Sequence, residues 1–304
     1  MDIRQLRYLL ALSRERHFAR AAAACAISQP TLSARIRQLE DELGVALVER
    51  GQRFMGFTPE GERVLERARR IVADCDAMAQ DLGAMRRDLT GSLALGAIPT
   101  VLPMVAGLTA TFAERHPNVA LTVLSMSSRE IQRGLDAFEL QAGLTYLEHE
   151  PLHNVRRLRL YDERYVLLAP VDGRLSGLLK GRDAIDWREA ADLPLCLLTP
   201  DMQNRRIVDE IFASVGRPVA PGIVTDALWL TATHVRTGCW AAVVPAILAA
   251  EPGIAHGLRA LALTGAADTL AVQPVGLVTA DQDPPSPMAA ALAAVAQEAA
   301  RLVG

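Results

Sequence analysis

Lysine is almost missing from this 304-residue chain: Lys180 is the only one among 32 basic residues. No Gly-x-x-x-x-Gly-Lys string exists, which excludes a P-loop, and a single amine leaves little scope for Schiff-base chemistry. No run approaches the ~18 apolar residues that a membrane helix needs. The charged start Met1-Asp2-Ile3-Arg4-Gln5 leads into no signal h-region, so a cytoplasmic location without membrane attachment is expected. Four cysteines (Cys25, Cys75, Cys196, Cys239) lie far apart with no Cys-x-x-Cys, so neither a disulfide nor a zinc site is expected. Cys196 and Cys239 fall in the apolar, strand-like runs "LPLCLLTP" and "GCWAAVVP" and are expected to be buried and inert, with redox sensing the lesser alternative. A Gly-x-Ser-x-Gly nucleophile elbow is absent. Of the scattered histidines, His116 precedes Pro117 at a helix end and His149 and His153 fall in a loop, so surface roles are expected and no metal site. Nothing here points to an enzyme.

Net charge is −3, but its distribution is uneven. Residues 1–58 carry nine arginines against six acids, a net of +3, on an otherwise acidic chain. A basic head on an acidic body points weakly to DNA.

The head reads as short helices. Ile3, Leu6, Leu9, Leu10 and Leu12 make a first amphipathic helix, and Phe18–Ala24 a second. Ser28 is an N-cap for a third, with Pro30 tolerated in its first turn and Gly44 as its stop. In "VERGQRFMGFTPEG", Gly51 and Gly56 bracket Arg53 and Phe54, which suits a small β-hairpin. From Pro59 onward Val64, Ala68, Ile71, Cys75, Met78, Leu82, Met85 and Leu89 recur at alternating spacings of 4 and 3, the 3.5-residue period of a coiled coil. A rod of that length, ~45 Å, cannot bury its own stripe and is expected to pair with a second copy.

After Thr90-Gly91 strands alternate with helices. "SLALGA", "VALTVLS" and "LQAGLTYL" read as strands with helices Pro99–Arg115 and Ser128–Phe138 between them; "RYVLLAP", "LPLCLLT", "APGIVT", "CWAAVVP" and "LAVQPVGLVTA" follow, and a last helix starts at Ser286. The alternation implies a parallel sheet with helical crossovers, in two bodies with a cleft between them. Such a body also fits a solute-binding protein, but the helical head and the missing export signal count against that reading.

The third helix has one apolar stripe, Leu32, Ile36, Leu39 and Leu43, and a polar face that opens with Ser28-Gln29-Pro30-Thr31. Short helices followed by a glycine-flanked hairpin suit a winged helix-turn-helix, whose second helix enters the DNA major groove. Gln29 can pair bidentately with adenine, while Thr31 and Ser33 can meet either base type. Arg35 and Arg37 suit guanine or phosphate, and Arg50 and Arg53 in the hairpin suit phosphate or the minor groove.

With these features in place, "LRYLLALSRERHFARAAAACAISQPTLSARIRQLEDELGVALVER", "FTPEG", "TGSLALGAIPT", "ERHPNVALTV" and "GCWAAVVP" together resemble the LysR-type transcriptional regulators. The resemblance implies a winged helix-turn-helix over 1–58, a dimerising linker helix over 59–90 and an effector-binding domain over 91–304. The last would be built like periplasmic binding proteins, with subdomain I at about 91–161 and 268–304 and subdomain II at about 162–267. It also implies a homotetramer on inverted-repeat double-stranded DNA, an activator or repressor in reach of RNA polymerase, with a small-molecule co-inducer and no tightly bound cofactor. Two places depart from the family: Ala34 stands where an arginine usually follows the second serine, with Arg35 next, and "AGLTY" replaces an acidic-led pattern. "LSMSSREIQRGLDAFELQAGLTYLEHEPL" resembles, more narrowly, regulators found beside formate dehydrogenase genes.

Ligands of such sheets sit at strand ends, where helix N-termini offer free N–H groups. Three turns qualify: Ala97-Ile98-Pro99-Thr100, Ser125-Met126-Ser127-Ser128-Arg129, and Thr199 to Asn204, containing Met202 and Gln203. The family holds effectors at positions matching Thr100, Ser127 to Arg129 and Gln203, with Thr225 and the Val244-Pro245 turn nearby. Hydroxyls, amides and dipole ends favour a small anion, against which Asp201 and Asp226 count mildly. The same Ser and Thr residues also serve as ordinary helix caps.

Overall fold

Apolar spacing builds the head as the sequence predicts. The computed structural model describes residues 1–49, 54–85, 89–148 and 152–303, and the chain divides into two units, Met1–Asp88 and Leu89–Gly304. In the first, helices Ile3–Glu15, Phe18–Ala24 and Gln29–Leu43 bury Leu6, Leu9, Leu12, Ala21, Leu32, Ile36 and Leu39 in one cluster with Leu47, Leu65 and Ala68. Leu43, expected in that stripe, is 39% exposed, because Gly44 in the left-handed region (φ 70°) already turns the chain away.

Strands β1 (Val48–Glu49) and β2 (Gly56–Phe57) pair antiparallel as the expected hairpin; Arg50, Gly51 and Arg53 lie outside the described residues. The "FTPEG" stretch then has a physical reading. The Thr58 hydroxyl donates to the Ala46 carbonyl (2.7 Å) and accepts from the Gly61 N–H (2.9 Å), which starts the linker helix Pro59–Met85 against the hairpin. Gly61 is required there, because a Cβ would sit 2.1 Å from the Leu47 carbonyl oxygen. Along the linker Ala68 is buried in the head, whereas Ile71 and Met78 are 40% and 64% exposed, so part of the heptad stripe is left uncovered among the described residues. Arg86, Arg87 and Asp88, in the expected continuation of this helix, lie outside the described residues.

The second unit carries β3 (Gly91–Ala97), β4 (Val119–Ser125), β5 (Ala142–Tyr146), β6 (Val155–Pro170), β7 (Ala184–Asp186), β8 (Cys196–Leu198), β9 (Ile223–Thr225), β10 (Ala242–Pro245), β11 (Leu258–Thr264) and β12 (Val272–Ala280). An eight-stranded sheet runs β4-β3-β5-β12-β6-β11-β7 with β10 also on β6, and β8 pairs separately with β9. The expected all-parallel arrangement is corrected: β3, β4 and β5 are parallel, but β12 runs antiparallel to β5 and β6, and β10 and β11 antiparallel to β6. The cause is β6 itself. Its first half pairs with β12 and its second half with β10 and β11, so a single strand serves both ends of the sheet.

Helices Leu102–Arg115 and Ser128–Asp136 cover the β3–β5 end and Pro287–Val303 packs on β6, β12 and the first of them; that first helix is preceded by a 3₁₀ turn, Pro99–Val101, rather than starting at Pro99. At the other end the buried rings of Trp187 and Phe212 meet edge-to-face at 5.0 Å. Cys196 is buried as expected, but Cys239 is exposed, because the chain turns at Gly238 (φ 83°) and β10 begins only at Ala242. No helix among the described residues is long and apolar enough to cross a membrane.

Candidate functional site

An exposed polar surface is built by the third helix. Ser28 caps it: its hydroxyl accepts from the Thr31 N–H (3.3 Å) and lies 2.8 Å from the Thr31 hydroxyl. With Leu32, Ile36 and Leu39 buried, the opposite side stays outward: Ser28, Gln29, Pro30, Thr31, Arg35 and Arg37 are exposed and Ser33 half-buried. Gln29, Ser33 and Arg37 follow one another at intervals of four, one ridge of the helix, with Thr31 and Arg35 on the next. The Arg35 guanidinium donates to Gln38 (3.1 Å).

Glu40 belongs to this site although the sequence reading passed over it. It is buried at 5% exposure, and one carboxylate oxygen accepts from the N–H groups of Leu47 (2.8 Å) and Val48 (3.1 Å). The recognition helix is thereby tied to the start of the hairpin by charge-assisted bonds. Nothing in "RQLEDELG" separates this carboxylate from its exposed neighbours except its place one turn after Ile36.

In the second unit six of the eight expected effector residues, Pro99, Thr100, Ser127, Ser128, Met202 and Gln203, line one crevice at the strand ends. Gly143 makes the close approach possible: a Cβ there would fall 2.2 Å from Ile131, so the helix Ser128–Asp136 lies directly on β5. Thr145 of β5 consequently donates to the Ser128 hydroxyl at 2.9 Å. Ser128 in turn donates to the Gln203 side-chain oxygen, and the Gln203 amide donates to the Glu148 carbonyl (2.9 Å). These bonds fill the crevice, which keeps only about 10 Å³, room for at most one water. Of the remaining expected residues, Thr225 accepts from the Ala227 N–H (3.1 Å) as a turn cap, and Arg129 faces the neighbouring cavity rather than the crevice.

Behind the crevice lies a polar cluster that the sequence did not disclose. Tyr146 donates to Glu163 of β6, as does Tyr161 (3.1 Å); Asn204 donates to Tyr146 (3.0 Å), and the Tyr165 and Thr100 hydroxyls each lie 3.4 Å from that of Tyr146. Burial pushes the Glu163 carboxyl up from 4.5 to about 8, with the tyrosine hydrogen bonds pulling in the other direction. Burial and the nearby Glu163 raise Tyr146 and Tyr165 well above the ordinary phenol value.

His149-Glu150-Pro151-Leu152-His153 spells His-Glu-x-x-His, a string that the expectation of no metal site wrongly took to be absent. That string holds zinc when a helix brings both histidines to one face. Here His149, Glu150 and Pro151 lie outside the described residues, and His153, exposed in a coil, faces Asp136 at 3.3 Å. Among the described residues no three groups are gathered to hold a metal.

Comparison with known proteins decides the family. Residues 3–62 match the bacterial regulatory helix-turn-helix protein, lysR family, and residues 86–301 match the LysR substrate binding domain. The chain belongs to the LysR family. Among curated LysR-type relatives, a probable hydrogen peroxide-inducible genes activator of Streptomyces viridosporus is 35% identical over 200 residues, covering 65% of this chain and 62% of that protein. The DNA-binding transcriptional dual regulator OxyR of Escherichia coli is 34% identical over 168 residues, 55% of each chain. The alignments thus span about half to three-fifths of these relatives' lengths. Full-length OxyR from Pseudomonas aeruginosa, a point variant, superposes with a TM-score of 0.76 at 25% identity over 98% of this chain and 95% of that one. Full-length CbnR complexed with its target DNA shares the fold, with a TM-score of 0.65 at 22% identity over 98% and 100%.

Proposed function

We propose that this LysR-family protein is a transcriptional regulator that binds inverted-repeat promoter DNA as an oligomer and responds to a small anionic metabolite in its C-terminal domain. The observation that carries the reading is the exposed polar ridge of the third helix, held outward by a buried stripe and tied to the hairpin by Glu40. In this reading residues 1–58 are the winged helix-turn-helix, 59–90 the dimerising linker and 91–304 the regulatory domain, with lobes 91–161 plus 268–304 and 162–267. Ser28, Gln29, Pro30, Thr31, Ser33, Arg35 and Arg37 meet the major groove and its phosphates, and Arg50 and Arg53 the flanking backbone. The effector is recognised around Pro99, Thr100, Ser127, Ser128, Arg129, Met202, Gln203 and Thr225.

Self-association is supported by apolar side chains left in solvent: Ile71 and Met78 on the linker, and Leu102, Val123, Leu124, Trp229 and Leu230 in the second unit. In this reading the protein acts in the cytoplasm, in reach of RNA polymerase and without a catalytic role. Footprinting on the DNA beside its own gene, together with sedimentation, tests the reading. Two protected half-sites and a dimer or tetramer are expected; a monomer without preference for any duplex overturns it.

Peroxide sensing, by analogy with the named activators, is the second reading; the exposed Cys239 is its candidate thiol, and Cys196 and Cys25 weigh against it. Burial raises the Cys196 thiol above its usual value and so lowers its reactivity, and Cys25 is raised for the same reason. The finer assignment to regulators beside formate dehydrogenase genes rests on residues 124–152 alone, and the neighbouring genes test it.

A further inference from the structure

The crevice at the strand ends is filled by its own side chains, but a cavity of about 690 Å³ opens beside it, between the helices Ser128–Asp136 and Gln203–Ser214. Arg129 and Arg133 line it from the first helix, Arg206 and Glu210 from the second, and His153 from the loop. His153 lies 3.3 Å from Asp136. Among the described lining residues, three guanidinium groups stand against one carboxylate, two positive charges in excess.

This clustering is not what folding alone favours. Arg129 and Arg133 lie one turn apart on the same helix, where like charges destabilise. Arg206 is aimed by its own bonds to the Pro200 (2.9 Å) and Asp201 (2.6 Å) carbonyls. Burial and then the nearby Arg129 lower its affinity for its proton, with Glu210 offsetting part of this. Nor is the helix dipole the attraction, because Glu130 already caps that N-terminus through the Ser127 N–H (2.8 Å). Arg129, Arg206 and Glu210 each have further polar contacts, so binding here is an exchange of partners.

We propose that this cavity holds a dicarboxylate, with Arg129 and Arg133 gripping one end and Arg206 the other. The proposal rests on the effector reading above and gives that effector a chemical class and a place. Two carboxylates neutralise the excess charge, and each suits the planar fork of a guanidinium. Ser128 and Gln203 line the same cavity, so an occupant bears directly on the bond that joins the two helices.

The test is calorimetric titration of the full-length protein at low salt with succinate, acetate and the neutral succinamide. Succinate is expected to bind, acetate about tenfold or more weaker, and succinamide not measurably; Arg129→Gln, Arg133→Gln and Arg206→Gln are each expected to weaken succinate about tenfold. Thermal melting of each variant checks its fold, and Arg133→Gln, at an exposed position, covers the case in which Arg206→Gln loosens its turn. Succinamide binding as well as succinate, or succinate binding unchanged in all three variants, overturns the proposal. Binding lost in Thr100→Val but kept in the arginine variants also overturns it, while leaving the effector reading in place at the strand ends. No binding of succinate by protein that still shifts its own promoter DNA rejects the dicarboxylate class and spares the DNA-binding half of the reading.

Discussion

Glu163→Gln puts the buried cluster behind the crevice to a quantitative test. The carboxyl is 2% exposed, accepts from Tyr146 and Tyr161, and is raised by burial to about 8 from 4.5. Over that interval the folded protein keeps a proton that the unfolded chain has released. Its contribution to stability is therefore complete below pH 4.5 and is lost as pH rises through about 8, after which the curve is flat. At about 1.4 kcal/mol per pH unit, the interval amounts to a ceiling of about 5 kcal/mol. Glutamine has the same shape and never ionises, so the variant should lose this slope. Urea unfolding at pH 5, 7 and 9, followed by tryptophan emission, reports on the correct unit, because Trp187, Trp229 and Trp240 all lie in Leu89–Gly304. Expected are similar stabilities at pH 5 and a variant more stable by several kcal/mol at pH 9. Parallel stability–pH curves, or a variant less stable at pH 9, would refute the reasoning.

Gln29→Ala should reduce discrimination at one operator base pair by roughly 1–3 kcal/mol and leave affinity for random DNA unchanged, read by competition binding. Arg53→Ala should weaken operator and random DNA alike and lower the salt slope by about 1, measured by titration across ionic strengths. Gly61→Ala brings a methyl to 2.1 Å from the Leu47 carbonyl oxygen. The start of the linker must shift, with a loss of roughly 1–3 kcal/mol in the melting of the head. Ile71→Asp with Met78→Asp should shift sedimentation towards smaller species while the circular dichroism of the folded chain is kept.

The head was legible because its signals are local. Ser28, Pro30 and Gly44 fix the ends of the recognition helix through capping and backbone conformation, and the intervals of three and four mark its buried side. The linker was legible for the same reason. What escaped depends on contacts between distant segments. The first half of β6, "VRRLRLYDE", reads as a solvated charged stretch, yet it pairs along its length with β12. Glu163 within it is buried only because Tyr146, Tyr161 and their neighbours close over it. Glu40 likewise resembles its neighbours until the hairpin amides are in place. Cys239 was misread because apolar composition marks a run without marking its turn, and Gly238 sets that turn. Six of the eight expected effector residues do lie together at the strand ends. That their side chains would occupy the space themselves is a matter of volume, which spacing does not report.

Because β6 passes unbroken from one set of partners to the next, it acts as an inextensible strap between the two ends of the sheet. Sliding would break ladder bonds along its whole length, so a rearrangement that kept this pairing would be a pivot about the strap. The natural place for give is the irregularity between Val275 and Gly276, opposite Arg159 and Tyr161, where the pairing already skips a residue. Glu163 lies two residues beyond that joint. A molecule drawn in between the helices would therefore work against a lever whose joint lies beside a buried carboxyl.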